Sequence, residues 1–167
     1  MNDAPEFSHR LPISEIGAAA KRIMLEATGI ERAALTQRFG LLALEQLTAA
    51  LEIKRGQAGI DVAGQVHGRG SQPCVASGEP VPFLITERIN LRLVLDVPAG
   101  GEIELSTADL DVEPLVGDTV DAGEIAAQAF ALGLNPYPRS ATKVAGIISE
   151  DEAAAARSPF AVLKKGI

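Results

Sequence analysis

Alternating apolar and polar residues predict an antiparallel sheet over the first two thirds of the chain. The longest alternating run extends over residues 81–96, with apolar side chains on one parity and polar ones on the other. Successive side chains of a strand point to opposite faces, so this run predicts one buried and one exposed face. Such a long strand is expected to bend or to be shared between two sheets.

Shorter alternating runs predict the neighbours of this strand. Residues 46–53 and 60–67 alternate on either side of a KRGQAG connection, which predicts a hairpin. Residues 22–27 form a further candidate strand, and residues 7–13 suit a sheet edge because they contain Pro12. The segment at 102–105 can pair back after the glycine-rich break at 98–101.

Capping signals predict the helices. Thr28 and Glu31 form a capping box that opens a helix ending at Gly40. Asp121 and Glu124 have the same spacing and open a second helix. We expect its core-facing stripe to be Ile125, Ala129 and Leu132, and its end to be a left-handed Gly133.

Two short tail segments, at 149–157 and 158–166, also carry helix-start signals. We find no repeat and no linker that would divide the chain. The predicted fold is therefore a single α+β domain, residues 1–167, with a bent or barrel-like antiparallel sheet and about three helices.

The composition of the chain indicates its cellular compartment. The chain has 167 residues and one cysteine, so it forms no internal disulfide, which fits a reducing cytosol. It has no apolar run near ~20 residues, and its first ten residues lack the pattern of an export signal. We expect a cytoplasmic protein that does not bind membranes.

Acidic residues are concentrated in one stretch. Between Leu93 and Pro138 there is no Lys or Arg, whereas the other residues hold 15 basic side chains against 13 acidic ones. Segregated charge of this kind indicates a cationic partner surface. The stretch contains nine carboxylates: Asp96, Glu102, Glu104, Asp109, Asp111, Glu113, Asp118, Asp121 and Glu124.

Within this stretch, Asp109, Asp111 and Glu113 project to one side of an extended chain. A hard cation such as Mg²⁺ could use such carboxylates, but the glycine turn and loop of an EF-hand are missing. A polar strand face needs no metal, so we predict no metal and no cofactor. The preferred interpretation is an acidic face, also including Asp118, that docks a basic protein.

The segment Asn135–Arg139 follows the second helix and contains two prolines, which favour an extended backbone. In one interpretation the ring of Tyr137 caps the core at a rigid helix exit. In the other, Tyr137 and Arg139 form a preformed contact loop, since both residue types are enriched in binding surfaces.

Candidate catalytic residues are few. The chain has two histidines, His9 and His67, besides Cys74, and it contains none of the common nucleophile, phosphate-loop or zinc-protease motifs. Cys74 is predicted to be a small buried hydrophobe. A hydrolase or metal-dependent nuclease built on Asp109, Asp111 and Glu113 is the least favoured of three function classes, and we predict no enzyme and no small-molecule substrate.

Three motifs resemble the YceD-like family, the large ribosomal RNA subunit accumulation proteins. They are QPCVASGEPV at 72–81, DVEPLVGDTVD at 111–121 and LNPYPR at 134–139, followed by SPFAVLKK near the end of the chain. Some relatives carry several cysteines that resemble a metal site, which a single Cys74 does not support. The motif residues carried over are Gln72, Cys74, Glu79, Pro80, Asp111, Glu113, Pro114, Leu115, Asp121, Pro136, Tyr137, Pro138 and Arg139.

The resemblance implies a small cytosolic factor that supports accumulation of large-subunit ribosomal RNA. We expect a non-enzymatic ribosome-assembly factor that docks its acidic face on a basic ribosomal protein or assembly factor. The alternative is direct binding of structured ribosomal RNA, although a net charge of −7 disfavours contact with phosphates. The basic residues for that alternative are Arg69, Arg88, Arg92, Arg139, Lys164 and Lys165.

Overall fold

The computed structural model describes residues 6–94 and 111–141 and shows an α+β fold. Five strands form one sheet in the order β2-β3-β4-β5-β6, and β1 pairs separately with β7. One turn of 3-10 helix, Ile13–Glu15, follows β1. The elements are β1 (Arg10–Pro12), β2 (Lys21–Glu26), α1 (Gly29–Arg38), β3 (Ala43–Arg55), β4 (Ile60–Pro73), β5 (Pro80–Val94), β6 (Asp111–Pro114), β7 (Thr119–Asp121) and α2 (Ala122–Leu132).

Local alternation correctly predicted the strands β2 to β5. These four strands pair antiparallel in chain order. The predicted edge strand at 7–13 shortens to β1, and the backbone of His9 contacts the junction between β7 and α2. The His9 N–H donates to an oxygen of Asp121 over 2.8 Å, and the His9 carbonyl accepts from Ala122 over 2.9 Å.

The sheet is mixed and is not closed into a barrel. Strand β6 lies parallel to β5, with Leu91 beside Asp111 and Leu93 beside Glu113. Among the described residues, strands β2 and β6 are the two sheet edges and do not pair with each other. The prediction of a bent or barrel-like antiparallel sheet is therefore correct only in part: β2 to β5 are antiparallel, but β6 is parallel to β5 and no barrel forms.

One face of the sheet packs against both helices. The ring of Phe130 in α2 is fully buried between Phe39 and Phe83, with centroids 5.9 Å away in each case. Gly68 of β4 lies beneath this ring, where an added Cβ would overlap the Phe130 side chain. This glycine gives the aromatic ring its space.

The cap of α1 is confirmed as a capping box. The Thr28 hydroxyl accepts from the Glu31 N–H over 3.3 Å, and the Glu31 carboxylate accepts from the Thr28 N–H over 2.7 Å. Gly40 follows the helix with a left-handed φ of 62°, a conformation that glycine adopts without steric cost.

The predicted apolar stripe of α2 is correct only in part: Ile125 and Ala129 are half-buried and pack against the core, but Leu132 does not. The buried face of the helix consists of small residues and one aromatic, and Leu132 is 87% exposed. The small side chains let the helix lie close to the sheet, and Phe130 fills the space that remains. The buried residues are Ala122, Gly123, Ala126, Ala127 and Phe130.

The end of α2 also differs from its prediction. Gly133 has a φ of −79°, in the right-handed region. Glycine is required there for another reason: an added Cβ would lie 2.6 Å from Ile85 Cγ2 and 2.7 Å from Glu87 Cγ. The residue marks a close approach of chain segments.

Two α-helices occur within residues 6–94 and 111–141, against about three predicted for the whole chain. The predicted helices at 149–157 and 158–166 and the strand at 102–105 lie outside the described residues, as do Asp109, Lys164 and Lys165. Neither α-helix is long and apolar enough to cross a membrane.

Candidate partner-binding site

The carboxylates of Asp111 and Glu113 project from one side of β6. They alternate with Val112, as the extended spacing predicted, and both residues are exposed. In the parallel register they align with Leu91 and Leu93, whose side chains face the core. The two acids therefore lie on the helix-bearing side of the sheet, at its edge beside α2.

A groove separates these acids from α2. Its cavity has a volume of about 90 Å³. The wall from β6 is acidic and the wall from α2 is mainly apolar. The lining includes Asp111, Glu113, Ile125, Gln128, Ala129 and Leu132, and Arg88 of β5 contributes one basic side chain. An apolar pocket bordered by carboxylates can accept an apolar side chain that has cationic neighbours.

The apolar wall of the groove was not predicted as part of a site. Ile125, Ala129 and Leu132 were assigned to the core because they recur at helical spacing. Ile125 and Ala129 are half-buried, and Leu132 is exposed to solvent. The same helix has a second apolar face, which is rich in alanine and ends in Phe130. That second face is the signal that could have indicated that Ile125, Ala129 and Leu132 are not the face buried in the core.

Two carboxylates of the acidic stretch are engaged within the fold. The Asp121 side chain caps α2 by accepting from Gly123 over 3.1 Å and from Glu124 over 3.2 Å. Glu124 accepts two hydrogen bonds from Arg38, which lower the pKa of its carboxyl. These two acids satisfy donors of the protein itself and are therefore not free for a partner.

Asp118 lies in the connection between β6 and β7. Its side chain is exposed, and its carbonyl accepts a hydrogen bond of 2.9 Å from the Ile13 N–H. The preceding Gly117 has a φ of 89°, and Val116 beside it is 87% exposed. The exposed acids of the described stretch are thus Asp111, Glu113 and Asp118.

The Tyr137 segment lies at the opposite end of β5. The Pro138 carbonyl accepts from Val75 over 2.9 Å, which fixes the segment to the β4–β5 connection. About ten strand residues separate this end from β6, which corresponds to a distance on the order of 30 Å. Tyr137 is 73% exposed, so the interpretation that its ring caps the core is wrong. Tyr137 and the exposed Arg139 form a patch separate from Asp111 and Glu113.

The predicted basic residues of the sheet do share a face. Arg69, Arg88 and Arg92 project from the side of the sheet that faces away from the helices. Carboxylates on neighbouring strands neutralise two of them: Arg69 lies 3.0 Å from Glu45, and Arg92 lies 2.6 Å from Asp61. The surface is therefore less basic than its arginines suggest.

Cys74 is 5% exposed, which confirms its predicted burial. Its sulfur accepts a hydrogen bond from the Ser140 N–H over 3.3 Å. This donor, with the Ser77 hydroxyl, lowers the pKa of the Cys74 thiol to about 7.

His67 contacts Thr86, with 2.9 Å between Nδ1 and Oγ1. Within the described ranges, no group of three or more His, Cys, Asp or Glu side chains could hold a metal ion.

Comparison of the chain with protein-family models, curated proteins and solved structures finds no match. The resemblance to the YceD-like proteins stays a prediction based on the order and spacing of its motifs.

Proposed function

We propose that this protein is a non-enzymatic assembly factor that docks a basic partner protein in the groove between α2 and β6. The observation that carries the proposal is the composition of the two walls. Exposed carboxylates of Asp111 and Glu113 line one wall, and exposed or half-buried apolar side chains, including Leu132, line the other.

The two walls have different roles. The carboxylates attract and orient a cationic segment, while most of the affinity comes from an apolar side chain inserted beside Leu132. The cavity of about 90 Å³ admits a single aliphatic side chain. The expected partner element is therefore an aliphatic residue flanked by Lys or Arg.

The cellular role follows from the motif resemblance. It supports a cytoplasmic factor for accumulation of large-subunit ribosomal RNA, with a basic ribosomal protein or assembly factor in the groove. In this scheme the RNA is affected through the partner. Asp118 extends the attractive surface, and Tyr137 with Arg139 supplies a separate contact at the other end of β5.

The test is affinity purification from growing cells at low and high salt. Asp111→Asn combined with Glu113→Gln removes both groove carboxylates and should lose the basic partner, mostly at low salt where charge attraction is least screened. Glu15→Gln combined with Glu26→Gln is the matched control, because it removes two exposed carboxylates elsewhere. An unchanged partner set and salt response in the groove variant would contradict the proposal.

Direct binding of structured ribosomal RNA is the second candidate function. The alignment of Arg69, Arg88 and Arg92 on one sheet face favours it. The ion pairs to Glu45 and Asp61 oppose it, because a phosphate must displace those carboxylates. Gel-shift titrations with large-subunit RNA fragments distinguish the two candidates. Tight binding by the isolated protein that weakens steeply with salt would favour RNA.

A further inference from the structure

Four side chains form a row across the face of the sheet that points away from the helices. Met24 lies opposite Ala50, Ala50 opposite Gln65, and Gln65 opposite Arg88. Neighbouring strands are about 4.8 Å apart, so the row spans roughly 14 Å. It is apolar at the Met24 end and cationic at the Arg88 end.

A cavity of about 390 Å³ lies over this row. The short side chain of Ala50 leaves space between its longer neighbours, Met24 and Gln65. Arg22 and Glu52, joined by a 2.6 Å ion pair, line the cavity on one side. This volume is within the range of small-molecule sites.

Arg88 differs from the other arginines of this face. Arg22, Arg69 and Arg92 each pair with a carboxylate on a neighbouring strand. Among the described residues Arg88 has no ion pair, and the residue opposite it is the neutral Gln65. A guanidinium without a counter-ion at the edge of a cavity can receive an anionic group from a ligand.

The apolar end of the row also lacks cover from the described residues. Met24 is 80% exposed although it points over the cavity. Methionine is flexible and polarisable, so it adapts to an aliphatic chain placed against it. An elongated molecule with an anion at one end would satisfy both ends of the row.

We propose that this cavity binds a linear aliphatic carboxylate. The carboxylate accepts hydrogen bonds from the Arg88 guanidinium and the Gln65 amide, and the chain lies over Ala50 toward Met24. This site shares only Arg88 with the α2–β6 groove, and its occupancy does not depend on docking of a basic partner.

The test is calorimetric titration of the full chain with decanoate, an extended probe comparable in length to the row. We expect saturable binding at one site and about tenfold weaker binding to Arg88→Gln, as for loss of one charge-assisted contact. Arg139→Gln removes an exposed arginine elsewhere and should bind as the wild type does. Decan-1-ol and butanoate, which lack the charge and the chain length respectively, should bind more weakly.

A second variant separates this site from the groove, since Arg88 also lines part of the groove. Ala50→Leu fills the cavity floor and lies outside the groove, so it should weaken decanoate binding and leave partner recovery unchanged. Thermal unfolding of each variant verifies that it is folded. Equal affinity of wild type and Arg88→Gln would overturn the proposal. Binding only to phosphatidylcholine–phosphatidylglycerol vesicles, and not to free decanoate, would also overturn it.

Discussion

Arg38 and Glu124 form a two-pronged hydrogen-bonded ion pair between the last turn of α1 and the first turn of α2. The distances are 2.8 Å from Nη1 to Oε2 and 2.7 Å from Nη2 to Oε1. Arg38 also lies 3.0 Å from Glu6 and 5.2 Å from the ring centroid of Phe39. One arginine thus connects both helices to the segment before β1.

We expect Glu124→Gln to lower the free energy of unfolding by about 1 kcal/mol at neutral pH, because it removes a two-pronged charge-assisted pair whose side chains are 30% and 21% exposed. Urea denaturation measures the change. Glu113→Gln is the control, since Glu113 is exposed and its loss should have little effect. Equal stability of the two variants would show that the pair contributes nothing to the fold.

The same pair predicts a pH dependence. Hydrogen bonding to Arg38 lowers the pKa of Glu124 below its ordinary value. The resulting stabilisation is fully present above the unfolded-state pKa, about 4.3, and is lost as the pH falls through the lower folded-state pKa. The stability difference between wild type and Glu124→Gln should therefore shrink below about pH 4. A difference that stays constant from neutral to strongly acidic pH would contradict this assignment.

The contact between Gly68 and Phe130 provides a packing test. A methyl group at position 68 would overlap a ring that is already buried between Phe39 and Phe83. Gly68→Ala should cost about 1–3 kcal/mol of unfolding free energy, as overpacking typically does. Gly17→Ala is the control, because an added Cβ there meets no atom within 4 Å. Denaturation midpoints of the two variants compare the effects directly.

The sequence correctly predicted those features of the fold that depend on residues close together along the chain. Alternation identified β2 to β5, and the Thr28–Glu31 pair identified the start of α1. The packed side of α2 could not be identified in this way, because the alanine face and the Ile125–Leu132 face have similar periodicity. The choice between them depends on how closely the helix approaches the sheet.

Long-range pairing limited the prediction of the candidate site. The acidic stretch indicated a binding surface, but the role of Glu124 depends on Arg38, which lies 86 positions earlier in the chain. The parallel placement of β6 beside β5 likewise depends on a contact between distant residues. Charge segregation therefore predicted the acidic edge but did not separate exposed acids from those used within the fold.

Leu132 tests the apolar half of the groove. Leu132→Ser should weaken docking of the basic partner about tenfold, as for an anchor residue of moderate strength, and leave unfolding unchanged because the side chain is 87% exposed. Leu84→Ser is the matched control, since Leu84 is 81% exposed on the opposite face of the sheet. Partner recovery is measured for both variants at one salt concentration. Equal losses would assign the effect to general surface hydrophobicity instead of the groove.

The environment of Cys74 predicts a thiol with a lowered pKa that nevertheless reacts slowly because it is buried. The Ser140 N–H and the Ser77 hydroxyl favour the thiolate and lower the thiol pKa to about 7, compared with about 8.5 for an unperturbed cysteine. Only 5% of the residue is exposed, so alkylation should be slow at every pH.

The rate of Cys74 alkylation by iodoacetamide should rise through an inflection near pH 7 in the native protein. The rate should rise near pH 8.5 in the urea-denatured chain, which lacks these donors. Ser77→Ala removes one donor and should move the native inflection upward. An inflection that is the same in native and denatured protein would show that the two serines do not stabilise the thiolate.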